Sequence, residues 1–308
     1  MASTEATENS LRRQSPRYGE RAAMTFLGGS AFLSVLITFA IVLSLLLPAL
    51  DFFREVSVWE FLTGTKWTPR FSGQESYGVL PLITGTLWTT LIAMTIAVPF
   101  GLGCAIYLSE YAPFNVRKVL KPVLEVLAGI PSVVYGFFAL TFIAPTILQD
   151  ILGLEVGTFS VMSAGIALGI MIIPTVASLS EDAMSAVPSA LRQGSLALGA
   201  NKMRTTLRVV FPAAVSGIAA AVVLGLSRAV GETMIVALAA GTIPAMVDGP
   251  LEQGQTMTGF IAQTATGEST PGSLGYNTLF AVGLLLFILT LFMNIISIRL
   301  VRRFREVY

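Results

Sequence analysis

The sequence predicts an all-α integral membrane protein with six transmembrane helices and both termini in the cytoplasm. Three observations carry this. Hydrophobic residues make up 54% of the 308 and charged residues only 12%, about half of the roughly 25% that solvates an ordinary soluble domain; the mean hydropathy is +0.76. Six stretches are apolar over the ~20 residues needed to cross a hydrocarbon core of ~30 Å. The basic residues gather in alternate connections between those stretches. Strand-type alternation is absent, and backbone in lipid must satisfy its own hydrogen bonds, so helices are expected and not barrel strands.

Residues 1–23 read as a polar cytoplasmic tail. The first span, about 24–50, covers the stretch Met24–Leu50, which lacks Asp, Glu, Lys and Arg. Its apolar run of about 24 residues exceeds the roughly 7–15 of a secretory signal, so it is read as an uncleaved helix. A periplasmic loop, 51–78, carries Trp59, Phe61, Trp67 and Phe71, aromatics that suit a polar–apolar boundary. Its Arg54, Lys66 and Arg70 are either solvated or available to an external protein. Further spans are expected at about 79–109, 122–149 and 156–180, then a cytoplasmic loop at 181–208. The fifth span, 209–241, is interrupted by Arg228 and Glu232. An external Gly- and Thr-rich loop, 242–277, holds a short interfacial helix at Met257–Thr264. The sixth span, 278–300, leads to a basic tail at 301–308, and residues 24–300 make one transmembrane domain. Pro81, Pro99, Pro131, Pro145 and Pro174 lie in or at the ends of spans, where they predict kinked or broken helices.

Orientation follows from the 19 basic residues. Arg12, Arg13, Arg17 and Arg21 precede the first span; Arg117, Lys118 and Lys121 lie between the second and third. Arg192, Lys202, Arg204 and Arg208 lie between the fourth and fifth, and Arg299, Arg302, Arg303 and Arg305 close the chain. Only Arg54, Lys66 and Arg70 fall on the other side, which places both termini in the cytoplasm.

Composition also excludes chemistry. The chain has no His and one cysteine, Cys104, so no internal disulfide, no metal cluster and no nucleophile–base set is expected. A net charge of +1 gives no reason to expect nucleic acid. No Gly-rich phosphate loop of the type that holds ATP is present. The chain is therefore no enzyme and holds no cofactor; its energy source is another polypeptide or an ion gradient.

Glu181–Arg208 is the informative connection. It has helical propensity with Pro188 and Gly199 as breakers, and Leu191, Leu196, Leu198, Met203 and Leu207 alternate with basic residues. A short helix, a Gly turn and a second helix would lie across the membrane face, either as an amphipathic linker on lipid headgroups or as a docking element. Here the sequence resembles the permease subunits of ABC importers. Their loop pattern of Glu-Ala-Ala, three residues, Gly, nine residues and Ile-x-Leu-Pro falls on Gln193-Gly194-Ser195, Gly199 and Val209-x-Phe211-Pro212. Gln193 replaces the acidic residue, so no charge-based contact is assigned to it. Three more segments are similar to the phosphate-specific permeases of the PstC type: GVLPLITGTLWTT at Gly78–Thr90, LEVLAGIPSVVYG at Leu124–Gly136 and SRAVGETM at Ser227–Met234. The external WEFLTGTKWTP at Trp59–Pro69 also resembles that subunit.

The resemblance implies a fold like the type I ABC importer permeases, in the plasma (inner) membrane of a prokaryote, and a function in ATP-driven phosphate import. It implies that Gln193, Gly194, Ser195, Leu198, Gly199, Ala200 and Pro212 belong to the surface that couples to an ATPase. The implied partners are a sister permease (PstA type) in a heterodimer, two ATPase subunits (PstB type) that hold ATP and Mg, and an extracytoplasmic phosphate-binding protein (PstS type). Membrane lipid surrounds the rest.

Arg228 and Glu232 have a physical reading of their own. Four residues apart, they share a helix face, and Arg228 stands about 27 Å along the fifth span from Val210. Intramembrane charges cost roughly 2.5–3.5 kcal/mol each on insertion scales, so they face a cavity or one another. One reading is a mutually neutralising pair that locks helix packing. The other is an anion path, in which the Arg fork matches phosphate oxygens and Glu232 accepts the proton that phosphate carries and sulfate lacks. Ser132 and Tyr135 offer hydroxyls to a passing oxyanion or to backbone carbonyls. Glu125 is either a snorkelling carboxylate or a gate contact. A gradient-driven secondary transporter would show inverted repeats, and a channel filter a symmetric ring of ligands; neither is found. Permeases for sulfate, molybdate or phosphonate are the alternative substrates.

Overall fold

A computed structural model describes residues 18–69, 73–267, 270 and 272–303, over 300–303 for the backbone only. Residues 1–17 of the tail expected at 1–23, the last residues 304–308, and Arg70 and Phe71 of the first external loop lie outside the described residues, while 18–23 already belong to the first helix. Among the described residues the named elements are all helical, and six helices are long and apolar enough to cross a membrane.

The chain divides at Pro48 into two compact units. The first is α1 (Tyr18–Glu55) as far as Leu47. It is apolar on every side, the composition of a helix surrounded by hydrocarbon. The hydroxyls of Thr25, Ser30, Thr38 and Ser44 donate to carbonyls three or four residues back, which satisfies them where no water is available. Pro48 has no N–H to donate and interrupts the ladder at the unit boundary.

The second unit continues from Pro48 through α2 (Val58–Thr63) to α3 (Leu80–Ile106). A π-type turn, Tyr107–Tyr111, ends α3, and α4 (Phe114–Ala128) follows. Then come α5 (Ser132–Phe138), whose winding widens to π-type over Ala139–Ile151, and α6 (Val161–Ser185). The loop helices are α7 (Ser189–Ala197) and α8 (Lys202–Thr205); a π-type stretch, Thr206–Val210, joins α8 to α9 (Phe211–Gly231). The chain finishes with α10 (Met234–Ala239), α11 (Met257–Thr266) and α12 (Leu274–Arg303).

Three differences from the expected spans have physical causes. The span expected at 122–149 is divided at Gly129–Pro131, because the residue before a proline is pushed out of helical geometry; the crossing helix begins at Ser132. The fourth helix starts five residues later than expected, where the Ser160 hydroxyl caps it by accepting from the Ser163 N–H. It also runs on past Ser180 through Glu181 and Asp182, which a search for uncharged residues treats as its end. The span expected at 209–241 breaks at Glu232, whose backbone is extended (φ −66°, ψ 132°).

The core is the contact between α3 and α6. Thr89, Ala93 and Ala97 of α3 are buried against Ala164, Leu168 and Ile172 of α6. Gly165 and Gly169 let the helices meet: a Cβ on Gly169 would stand 2.9 Å from the Ala93 carbonyl oxygen, and one on Gly165 would stand 2.7 Å from Ile92. In hydrocarbon, where burying apolar surface drives little, such backbone-to-backbone approach supplies the packing. One end of this bundle, called the far end below, is tied by Trp88 Nε1 donating to the Val247 carbonyl and by the Met257 N–H donating to Thr86 Oγ1. The opposite end carries Arg117, Lys121, Arg192 and Lys202 and is called the basic end.

Two of the aromatics of the first external loop do not sit at a boundary as expected, whereas Trp59 is exposed. Phe61 and Trp67 are buried with Phe52, Tyr77 and Phe260 in a cluster of edge-on rings, with Trp67 and Phe260 centroids 5.0 Å apart. A loop this rich in large rings builds its own small core. The short helix expected at Met257–Thr264 is part of that packing, as Met257 and Phe260 are buried.

Placing a branched side chain at Gly169 should force α3 and α6 apart. Gly169→Val is expected to cost about 1–3 kcal/mol, the usual penalty of overpacking. A lowered melting temperature in detergent, compared with Gly103→Val (a glycine whose Cβ meets open space), would check it.

Candidate functional site

Arg228 lies in the last turn of α9, at the far end of an apolar helix. Its guanidinium is exposed on the surface of the chain, and its one hydrogen bond among the described residues is a long one, 3.4 Å from Nη1 to Thr175 Oγ1 on α6. No carboxylate among the described residues lies within ion-pair distance of it. The helix end itself favours a cation there, because the terminal carbonyls of α9 carry the negative end of its dipole.

Glu232 is turned elsewhere. It stands just past the end of α9, and its Oε1 accepts from the N–H groups of Met234 and Ile235 at 3.0 and 3.3 Å, capping α10. The Glu232 carbonyl accepts from the Thr258 hydroxyl on α11 at 2.7 Å. The mutually neutralising pair considered from the sequence is therefore not formed: the break at Glu232 takes the two residues off a common helix face, and each charge meets its own helix terminus. Glu232 Oε2 has no hydrogen-bond partner among the described residues.

Tyr135 is buried on α5, within electrostatic reach of Arg228. Its hydroxyl donates to the Leu127 carbonyl at 3.1 Å, closing the break between α4 and α5. Ser132 is half-buried in the first turn of α5, and Glu125 is exposed on α4. The structure thus sets Thr175 against Arg228, commits the Tyr135 hydroxyl to Leu127, sets Glu232 one break further on, and leaves Glu125 apart. Two clefts, about 540 and 570 Å³, open at the far end around Thr242–Pro244 and Ala245–Gln253. A path shared between two subunits would not appear as a closed cavity in one.

The loop at the basic end has the expected helix–turn–helix form. Gly199 adopts φ +82°, and the N–H groups of Gly199 and Ala200 donate to the carbonyls of Leu196 and Ser195. This is the double bond pattern with which a left-handed glycine closes a helix. Asn201 caps α8 by accepting from the Arg204 N–H at 2.8 Å, and the Ser195 and Thr205 hydroxyls share a 2.9 Å hydrogen bond across the turn. Gln193 and Gly194 are exposed, Ala200 is half-buried, and Pro212 stands at the start of α9. Leu198 is 91% exposed at the tip, with Leu196, Met203 and Leu207 exposed beside it. The turn presents an apolar knob that none of the described residues covers.

Residues 97–306 match the family described as binding-protein-dependent transport system inner membrane component. The chain belongs to that family. This permease is 42% identical over 253 residues to the probable ABC transporter permease protein YqgH of Bacillus subtilis, covering 82% of this chain and 80% of that one. It is 33% identical over 308 residues to the phosphate transport system permease protein PstC of Haemophilus influenzae, covering 90% and 94%. The corresponding PstC 1 protein of Mycobacterium tuberculosis is 35% identical over 277 residues, covering 79% and 81%. Among solved structures, the permease fold resembles a chain of a bacterial alginate ABC transporter in complex with alginate pentasaccharide-bound periplasmic protein (TM-score 0.64, 15% identity, 95% of this chain and 99% of that). It also resembles a chain of the MetNI methionine ABC transporter (TM-score 0.55, 21% identity, 74% and 95%). These likenesses concern the fold.

From the sequence, the basic residues between the spans of the permease gave its orientation but not the carboxylates they hold. Glu181 is fully buried in the last turns of α6. It accepts from Arg117 and from Lys121, the latter at 2.7 Å, both on α4; Lys121 also reaches Asp182. Arg192 of α7 pairs with Glu110 at 2.8 Å. The available signal was the pair of acids at the end of an apolar span, which requires cations nearby. Their sequence separation of some sixty residues hid the pairing.

Hydrogen bonds to Asp182 and Glu181 raise the Lys121 ammonium above its ordinary 10.5. A raised basic group contributes its stability fully below the unfolded value and loses it as pH climbs through the folded one. Lys121→Met should therefore lower the detergent melting temperature at about pH 8, with the gap to wild type narrowing as the pH climbs above 10.5. At the tip, Leu198→Asp should leave the permease fold intact and abolish co-purification of any subunit that grips the loop, because a carboxylate cannot be buried there without a partner.

Proposed function

We propose that this permease is one half of the translocation path of an ATP-driven inorganic phosphate importer. Its basic end faces the cytoplasm, in the plasma (inner) membrane of a prokaryote. A similar second permease (PstA type) completes the path, two ATPase subunits (PstB type) bind the Gln193–Ala200 turn, and a phosphate-binding protein (PstS type) docks outside. ATP and Mg belong to the ATPase subunits.

The observation that carries this reading is an arginine in the last turn of an apolar helix with no carboxylate beside it. A guanidinium so placed keeps its charge and its fork of donors for an anion. The free oxygen of Glu232, one helix break away, suits an anion that still carries a proton, which phosphate does near neutral pH and sulfate does not. The Thr175 hydroxyl supplies a polar contact beside the cation. Similarity to phosphate permeases over most of the chain agrees with this chemistry.

The test is uptake by proteoliposomes holding the complete complex, with ATP on the side of the ATPase subunits. Phosphate should enter and sulfate should not. Arg228→Lys keeps the charge but loses the fork and should slow uptake about 10- to 100-fold. Glu232→Gln keeps the Oε1 acceptor that caps α10, so the fold is preserved while the charge is removed; discrimination between phosphate and sulfate should shrink. Wild-type rates and selectivity in both variants, at equal membrane expression, would refute the assignment.

A further inference from the structure

We infer that Arg192 is a positioning residue for transport: it fastens the α7–α8 loop to α6 and so delivers loop movement to the Thr175–Arg228 contact. The inference rests on the reading of that loop as the ATPase-facing surface.

The geometry is a single side chain serving three acceptors on two helices. Arg192 Nε and Nη2 donate to Glu110 Oε1 at 3.1 and 2.8 Å, Nη1 donates to the Val187 carbonyl at 2.6 Å, and Nη2 donates to the Met184 carbonyl at 2.8 Å. Met184 lies in the last turn of α6 and Val187 just beyond it; the Met184 carbonyl, which also accepts from the Val187 N–H at 3.2 Å, has a second lone pair for the guanidinium. Glu110 belongs to the π-type turn that ends α3, and its side chain is 7% exposed. The cation is thus held by the negative end of the α6 dipole and by a nearly buried carboxylate at once.

The rest of the loop has few ties of its own. No residue of α7 is buried, although Leu191 packs on the cluster of Met184, Val187 and Val210. The second loop helix reaches the same π-type turn, with Lys202 Nζ 5.1 Å from the centre of the Tyr111 ring. Both loop helices are therefore fastened to Tyr107–Tyr111, and among the described residues the hydrogen bonds from the loop helices to the end of α6 come from Arg192, beside the apolar contact of Leu191. From Met184, Thr175 is about 14 Å up a continuous helix. A helix that packs as closely on α3 as α6 does moves as a body, so a push on Leu198 that enters at Arg192 shifts the Thr175 hydroxyl against Arg228. Only a guanidinium reaches these acceptors together, since a lysine is a point donor on a flexible stem.

The experiment uses the complete complex in proteoliposomes and reads phosphate moved per ATP hydrolysed, together with the amount of ATPase subunit retained. Arg192→Met and Arg192→Lys should retain the ATPase subunits through the Leu198 face and keep hydrolysing ATP. Phosphate per ATP should drop about tenfold, within the range for residues along a coupling route. Glu110→Gln, which keeps an acceptor for Arg192, should give a smaller drop. An unchanged ratio in an assembled Arg192 variant overturns the inference, and so does an equal fall in hydrolysis and uptake, the mark of a merely structural role. If Arg192→Met does not assemble, an unchanged ratio in Arg192→Lys overturns it. A wild-type complex that moves no phosphate overturns the proposed function and the inference with it, whereas a working wild type with an unaffected Arg192→Lys overturns the inference alone.

Discussion

An ion inside an apolar bundle has to be given partners by the protein, because neither lipid nor a dry core solvates it. In this chain the partners are mostly helix ends. Arg228 sits where α9 stops, Glu232 where α10 starts, and Arg192 on the last carbonyls of α6. Glu181 is the exception: its buried carboxylate lies at the negative end of α6, which disfavours it, and two cations of α4 supply the opposite charge. Helix termini hold unpaired backbone groups and a partial charge of known sign, so they accept an ion without needing an opposite ion beside it.

That arrangement separates charges which would otherwise cancel. Had α9 continued through Glu232, the carboxylate would face Arg228 one turn away and the pair would be inert. The extended backbone at Glu232 sends the carboxylate to the α10 N–H groups and leaves the guanidinium with one long contact to Thr175. The same break anchors α11 through the Thr258 hydroxyl. A local interruption of one helix therefore sets both the ligand chemistry of the site and the packing behind it.

The α3–α6 contact makes the geometry mechanically useful. Two helices in contact through Gly165 and Gly169 cannot slide far without backbone collision. Movement arriving at the basic end is accordingly carried toward the far end and is not absorbed by repacking. Around this rigid pair the loop at 189–205 is joined by hydrogen bonds and projects an apolar tip, the division between stiff frame and exposed contact that a coupled subunit requires.

Membrane class, the six crossings and the form of the 189–205 loop were legible in the chain itself, because hydropathy, basic residues, Pro188 and Gly199 act over a few neighbouring positions. Arg228 and Glu232 also stood out, as charges in an apolar run always do. The sequence could not show that they would part company: that depends on where α9 stops, and nothing between Gly231 and Thr233 forbids a helix by propensity alone. Glu181 with Lys121, Arg192 with Glu110, and Arg228 with Thr175 were likewise decided only by the tertiary structure. Each joins residues more than fifty positions apart, and an ion's partner is chosen by distance in space, which local pattern does not encode.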